Sequence, residues 1–102
     1  MNQMHLMNQM RKMQQEMTKA QDELSSTVVT GTAAGEAVKV EMTCDHRVKS
    51  ISIAPSAIDA DDPETIEDLV LVAVNDALTK VQQTSQARME RVTGGLRIPG
   101  MT

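Results

Sequence analysis

A long amphipathic segment at the N-terminal end constrains the fold of this chain more than any other feature. Residues 2–24 contain no glycine or proline, and most of their polar residues favour a helix. A helix of that length measures slightly more than about 30 Å, so we expect part of it to project beyond the core. Its apolar residues recur at intervals of three and four and therefore share one face: Met4, Met7, Met10, Met13, Met17, Ala20 and Leu24.

The next segment has the pattern of a small antiparallel sheet. The β-branched residues at 27–30 favour a first strand, and Gly31 together with Gly35 indicates that a turn follows it. Residues 37–43 alternate between apolar and polar side chains, which is typical of a half-buried strand. A third strand is predicted at residues 47–53.

The third strand contains an irregularity in its alternation. Ile51 and Ile53 share a face, whereas Val48 falls on the opposite face of a regular strand. One extra residue would bring all three side chains to the same face, so we predict a β-bulge near Lys49-Ser50.

A second long helix is predicted after the sheet. Asp61 or Asp62 can cap its N-terminus, Pro63 suits the first helical position, and Gly94-Gly95 ends it. The elements form a single α+β domain in the order α-β-β-β-α, with a three-stranded antiparallel meander flanked by two long helices. The predicted segments are a projecting helix at 1–24, the sheet at 25–54, the C-terminal helix at 61–93 and an extended tail at 94–102.

The composition favours association with a second copy. The chain has no Phe, Tyr or Trp, although aromatic side chains supply much of the buried area in small domains. A domain of this size buries a limited share of its surface and is only marginally stable alone. Pairing through an open sheet edge or a helix face would cover more surface, so we expect a homodimer.

The cysteine count and the hydropathy pattern bear on location. Cys44 is the only cysteine, so no intramolecular disulfide can form, which suits a reducing compartment. Residues 1–17 lack the apolar run of a signal peptide. No stretch of about 18 apolar residues is present to span a membrane. We therefore expect a cytoplasmic protein with no membrane partner.

Charge is distributed unevenly along the chain. The formal net charge of −4 argues against a nucleic-acid partner when it is averaged over the sequence. However, residues 1–20 carry a net +2 and residues 80–102 a net +3, whereas residues 54–79 carry a net −7. Basic residues on the predicted helices are either ordinary solvated groups or candidates for contacts with DNA phosphates. The candidates are Arg11, Lys12, Lys19, Arg88 and Arg91.

Residues with chemical reactivity are few. In Cys44-Asp45-His46 a thiol and an imidazole lie two positions apart and could ligate a metal or form a nucleophile pair. Two ligands do not make a metal site, and His5 is the only other histidine, so we predict a turn. The acidic run between residues 59 and 68 lacks the glycine and the spacing of a calcium loop. We expect no enzyme activity, no cofactor, no metal and no small-molecule substrate.

A Met- and Gln-rich first helix is followed by short motifs that extend over nearly the whole chain. The motifs are Thr30-Gly31, Gly35-Glu36-Ala37-Val38-Lys39-Val40, Ile51-Ser52-Ile53-Ala54-Pro55-Ser56, Glu67-Asp68-Leu69-Val70, Asn75-Asp76-Ala77, Gly94-Gly95-Leu96 and Ile98-Pro99-Gly100. In this order they resemble the YbaB/EbfC family of bacterial nucleoid-associated proteins.

This resemblance implies a homodimer shaped like tweezers, with a body of sheets and last helices and with projecting helical arms. It implies DNA binding through the arms, a location in the nucleoid, and roles in nucleoid organisation, gene regulation or DNA repair. The chain has no helix-turn-helix or zinc-finger pattern and no aromatic residues for base stacking, which favours duplex DNA held by phosphate contacts. The alternative is a protein-binding adaptor or chaperone-like dimer that uses the Met-rich face of the first helix.

Overall fold

The helices and strands follow one another in the predicted order. The computed structural model describes residues 3–94, so the tail predicted at 94–102 lies, apart from its first residue, outside the described residues. The predicted fold class, an α+β chain with a three-stranded antiparallel meander and two long helices, is confirmed. The helices are α1 (Gln3–Ser26) and α2 (Pro63–Thr93), and the strands are β1 (Val28–Ala33), β2 (Val38–Thr43) and β3 (Val48–Ile53).

β2 is the central strand of the sheet, and both neighbours run antiparallel to it. Glu41 pairs with Ser50, but the next residue, Met42, pairs with Val48, so Lys49 is an extra residue in β3. The β-bulge predicted from the broken alternation is therefore confirmed. It brings Val48 to the same face of the sheet as Met42, which is the face that packs against α2.

The prediction that Gly31 belongs to the turn after the first strand is wrong. Gly31 lies inside β1 and is buried. A methyl group on this residue would overlap the backbone of Ala73 and Ala77 in α2, so the glycine permits close packing of helix on strand. The turn consists of residues 34–37, where Gly35 and both of its neighbours have positive φ angles.

The core lies between the sheet and one side of α2. This helix packs over β1 and β2, and its small residues at 73 and 77 let the two layers approach closely. With no aromatic side chains available, the core is built mainly from alanine and valine. Its buried apolar residues are Ala20, Leu24, Ala33, Val38, Val40, Met42, Cys44, Ala73, Ala77 and Val81.

Two side chains of α2 close the outer edge of β1. The carboxylate of Asp76 accepts a hydrogen bond from the backbone N–H of Thr32 at 2.9 Å. The ammonium group of Lys80 donates to the carbonyl oxygen of Thr30 at 2.7 Å and forms an ion pair with Asp76 at 3.1 Å. These contacts satisfy backbone groups that an edge strand would otherwise offer to another strand.

β3, the other edge strand, is much more exposed. Val48 and Ile51 point to the same side of the sheet as α2, yet each is 50% exposed because α2 lies over the other two strands. On α2, Val74 and Leu78 are only partly buried, and helical geometry places them on the side away from the β1 edge. We call the surface formed by these four residues the β3 surface.

Only the C-terminal end of α1 packs against the rest of the chain. Ala20 and Leu24 are buried, Met13 and Met17 are partly buried, and residues 3–12 are all exposed. The first half of the helix extends away from the core, and the described chain measures 71 × 26 × 16 Å. The apolar stripe therefore changes along its length from a core contact to an exposed methionine surface.

Candidate nucleic-acid interface

The end of α1 lies against the C-terminal half of α2, and an ion pair joins the two helices. The Nε atom of Arg88 donates a hydrogen bond to Oε2 of Glu23 at 2.8 Å. The Arg88 side chain is only 15% exposed, whereas that of Glu23 is 47% exposed. Both residues line an open cleft whose walls also include Thr27, Thr84 and Arg91. We call it the α1–α2 cleft.

The charges around Glu23 stabilise its ionised form. The hydrogen bond from Arg88, followed by the positive charges of Arg88, Lys19 and Arg91, holds the pKa of Glu23 below its ordinary value. The same hydrogen bond, with a smaller effect from the charge of Glu16, raises the pKa of Arg88. Three basic side chains therefore act on the Glu23 carboxylate, and two of them, Arg88 and Arg91, line the cleft with it.

The two remaining candidates lie further along the projecting helix. Arg11 is exposed on the same polar face of α1 as Lys19, and their separation of eight positions corresponds to about 12 Å. Lys12 is also exposed and lies almost in line with Lys19 along the helix surface. The structure thus brings Arg88 and Arg91 together at the cleft, places Lys19 near Glu23 on α1, and leaves Arg11 and Lys12 about two turns from Lys19.

Sequence reasoning missed Glu23 and the constraint that it places on Arg88. The sequence allows Arg88 to be a solvated cation or a phosphate contact, but in the structure its partner is a carboxylate 65 positions earlier in the chain. No local pattern connects two residues so far apart. Lys19 does precede Glu23 by one helical turn, and this spacing is a local signal that the carboxylate belongs to the basic cluster.

The acidic residues lie toward the other end of α2. Residues 54–79, with their net charge of −7, form the segment after β3 and the first half of α2. Asp62 is the N-cap and accepts a hydrogen bond from the backbone N–H of Thr65 at 3.4 Å, and Glu64 lies in the first turn, where the helix dipole favours negative charge. The acidic segment at residues 54–79 therefore lies apart from the candidate DNA-contacting residues, although Glu16 and Glu23 lie among them.

Methionine side chains form a second exposed surface on α1. Met7 and Met10 are 59% and 64% exposed, and together with Met13 and Met17 they line a shallow groove. In the single chain this half of the apolar stripe is not part of the core. A seam with a second copy and a surface for another protein are the two interpretations that remain for it.

Residues 44–46 form a turn, as predicted. Cys44 is buried, and burial raises the pKa of its thiol. Thr43 donates a hydrogen bond from its hydroxyl to the carboxylate of Asp45, and His46 adopts a positive φ of 69°. Within residues 3–94, no three His, Cys, Asp or Glu side chains are grouped so that they could hold a metal ion. None of the helices described is both long and apolar enough to cross a membrane.

A solved structure with the same architecture defines the fold class. A crystal structure of an uncharacterized protein from Helicobacter pylori matches with a TM-score of 0.70 and covers 85% of this chain and 91% of that protein. The two sequences are 20% identical, so the likeness concerns the fold alone. The class is that of small α-β-β-β-α proteins in which one antiparallel sheet lies between two long helices in the order of the chain.

Sequence comparisons define the family within that class. The model of the YbaB/EbfC DNA-binding family matches residues 1–96. A nucleoid-associated protein from Chloroflexus aurantiacus is 48% identical over 97 residues, which cover 95% of this chain and 97% of that protein. A nucleoid-associated protein from Ligilactobacillus salivarius is 46% identical over 101 residues, which cover 99% of this chain and 95% of that protein. The chain belongs to the YbaB/EbfC DNA-binding family, and the resemblance drawn from its short motifs is confirmed.

Proposed function

We propose that this protein is nucleoid-associated and acts as a homodimer that binds duplex DNA, without catalysis. The DNA lies against the projecting half of α1 and the C-terminal half of α2. The observation that carries the proposal is that Arg88 and Arg91 meet at the α1–α2 cleft, with Lys19 beside Glu23 on α1 and Arg11 and Lys12 further along that helix. Nucleoid organisation, gene regulation or DNA repair would follow from occupancy of the chromosome.

Phosphate contacts are favoured over contacts with base edges in this proposal. Lysine and arginine on helix surfaces neutralise phosphates and release counterions, which gives affinity without sequence information. A platform for unpaired bases requires aromatic side chains, and the chain has none. Duplex DNA is therefore the form of nucleic acid that fits this surface best.

A titration of duplex binding against salt concentration tests the proposal. About six phosphate contacts predict a slope near −5 in a plot of log K against log salt. Duplexes of different sequence should give similar affinities, because phosphates carry no sequence information. Absence of binding at low salt, or binding that salt does not weaken, would contradict the DNA function.

Substitutions separate the proposed contacts from the effect of total charge. Replacement of Arg11, Lys12 and Arg91 by Ala should weaken binding to all duplexes alike, and each lost contact should make the slope shallower by about 0.9. Lys39→Ala is the matched control, because Lys39 is an exposed lysine on the face of β2 that points away from α2. An equal loss of affinity per charge in the control would contradict the site assignment.

The homodimer of this proposal forms through the β3 surface. Val48 and Ile51 are each half exposed there, whereas Asp76 and Lys80 occupy the edge of β1 on the other side of the sheet. Burial of apolar surface is the main favourable contribution to association, and a twofold axis lets one surface cover itself. Pairing at β3 would leave the helical arms free to contact DNA.

A pair of neighbouring substitutions tests this arrangement. Ile51→Lys places a charge in the β3 surface and should convert the dimer to a monomer in sedimentation velocity. Ser52→Lys is the control, because Ser52 is exposed on the opposite face of the same strand and pairs with Lys39. A dimer that survives Ile51→Lys, or dissociates equally with both variants, would exclude the β3 surface as the seam.

The exposed methionines favour a second candidate function, a protein-binding adaptor that uses the groove at Met7 and Met10. Methionine side chains repack easily around different partners. Met7→Gln combined with Met10→Gln should leave salt-dependent DNA binding intact if DNA is the partner. The adaptor would be supported instead if the wild-type protein showed no salt-dependent binding to duplexes.

A further inference from the structure

Glu23 occupies a position that phosphate binding does not explain. Its carboxylate lies among Lys19, Arg88 and Arg91, at the centre of the surface on which the proposed function depends. A negative group at this point opposes a polyanion in two ways. It repels an approaching phosphate, and it accepts the hydrogen bond that Nε of Arg88 could otherwise donate to a phosphate.

We infer that Glu23 competes with DNA phosphates for Arg88 and thereby lowers the affinity of the protein for duplex DNA. The inference rests on the proposed function, since it concerns the control of the same surface. Carboxylate and phosphate oxygens accept hydrogen bonds from a guanidinium group in similar geometry. A phosphate therefore gains the hydrogen bond from Nε of Arg88 by displacing Glu23.

The exposure of the two side chains fits such an exchange. Glu23 is 47% exposed and can turn into solvent with little loss of packing, whereas Arg88 is only 15% exposed. Arg88 lines the open α1–α2 cleft together with the polar residues Thr27 and Thr84. An exchange therefore requires movement of the carboxylate and leaves the guanidinium where it is.

Glu23 stays negatively charged at neutral pH and therefore continues to compete with phosphate. The hydrogen bond from Arg88 lowers the pKa of Glu23, so the carboxylate is ionised whenever the pH is near neutral. The ion pair and the charges that act on it carry a net charge of +1. These five groups are Glu16, Lys19, Glu23, Arg88 and Arg91. Neutralisation of Glu23 raises this net charge to +2, which strengthens the attraction for a phosphate backbone.

The same ion pair also joins α1 to α2, and this second role leads to the opposite prediction. If the contact served mainly to hold the helical arm in its DNA-binding direction, loss of Glu23 would weaken binding. If Glu23 competes with phosphate, its loss strengthens binding. The sign of the change in affinity therefore distinguishes the two roles.

Glu23→Gln is the central variant, because glutamine keeps the size of the side chain and an oxygen acceptor for Arg88 but removes the charge. Counterion release assigns roughly an eightfold gain in affinity at about 0.1 M salt to each additional phosphate contact. We expect a gain of that order per protomer and a slope steeper by about 0.9 per protomer. Glu67→Gln is the control, because Glu67 is exposed in the first half of α2, away from the cleft.

Arg88→Ala shows whether the effect passes through the guanidinium group. Glu23→Gln should strengthen binding in the wild-type background and lose most of that gain in the Arg88→Ala background. An equal gain in both backgrounds, or an equal gain from Glu67→Gln, would overturn the inference. Circular dichroism checks that each variant is folded at the assay temperature.

The outcomes for the wild-type protein and for Glu23→Gln are separable. Wild-type binding with a negative salt slope, together with unchanged or weaker binding of Glu23→Gln, overturns the competition and leaves the proposed function standing. A wild-type protein that shows no salt-dependent binding overturns both. Tighter binding of Glu23→Gln that depends on Arg88 supports both.

Discussion

Replacement of Gly31 by Ala should destabilise the protein strongly, although it adds a single methyl group. Gly31 lies in β1 directly beneath α2, and its added Cβ would lie 2.7 Å from the Cβ of Ala77. It would overlap even more with the carbonyl oxygen of Ala73 and the backbone nitrogen of Ala77. Backbone atoms of a helix cannot rotate away, so α2 and β1 would have to move apart.

The magnitude follows from the nature of the overlap. An extra methyl group in a packed core typically costs about 1–3 kcal/mol. At Gly31 the obstacle is helix backbone, so we expect the upper end of that range, about 3 kcal/mol. For a domain of this size 1 kcal/mol corresponds to a change of about 4–8 °C in Tm, so the midpoint should fall by about 12–24 °C.

Thermal and urea unfolding followed by circular dichroism measure this loss. The variants must be compared at equal protein concentration, because association stabilises the folded state by mass action. Gly35→Ala is the control: Gly35 has a positive φ of 62°, and a Cβ there meets no atom within 4 Å. Its cost is backbone strain alone, about 1 kcal/mol. A loss for Gly31→Ala no greater than that for Gly35→Ala would refute the role of close packing.

Two further predictions concern Asp76 and Cys44. The hydrogen bond from Thr32, and to a smaller extent Lys80, holds the pKa of Asp76 below its ordinary value. The ionised carboxylate therefore stabilises the folded state at neutral pH, and this stabilisation is lost as the pH falls below about 5. Asp76→Asn should make the acid-side decline in Tm shallower, and parallel profiles for Asp76→Asn and wild type would contradict this contribution. The thiol of Cys44 is buried and its pKa is raised, so iodoacetamide should alkylate it slowly in the native protein and rapidly in guanidinium; equal rates would be incompatible with its burial.

Features encoded in short stretches of sequence could be predicted. The apolar stripe of α1 needs only the helical period, because residues three and four apart necessarily share a face. The bulge at Lys49 could be located because a strand has a period of two, so one residue out of phase requires one inserted residue. The cap of α2 was predicted at Asp61 or Asp62, just before Pro63, and Asp62 is the N-cap.

Contacts between distant segments could not be predicted. Gly31 has the local signature of a turn, and only the approach of α2 shows that it serves close packing. Arg88 has the local signature of a solvated cation, and only the placement of α1 beside α2 supplies Glu23 as its partner. In both cases the decisive neighbour lies more than about 40 positions away, beyond the reach of any periodic pattern.

The sequence by itself determined the elements, their order, the family, and the separation of basic ends from an acidic middle. The tertiary structure alone decided which basic residues meet, and that one of them is held by a carboxylate. It also decided that α2 covers β1 and β2 while Val48 and Ile51 stay half exposed. The physical reason is that secondary structure follows from periodicity along the chain, whereas burial and charge pairing depend on which surfaces the packed helices cover.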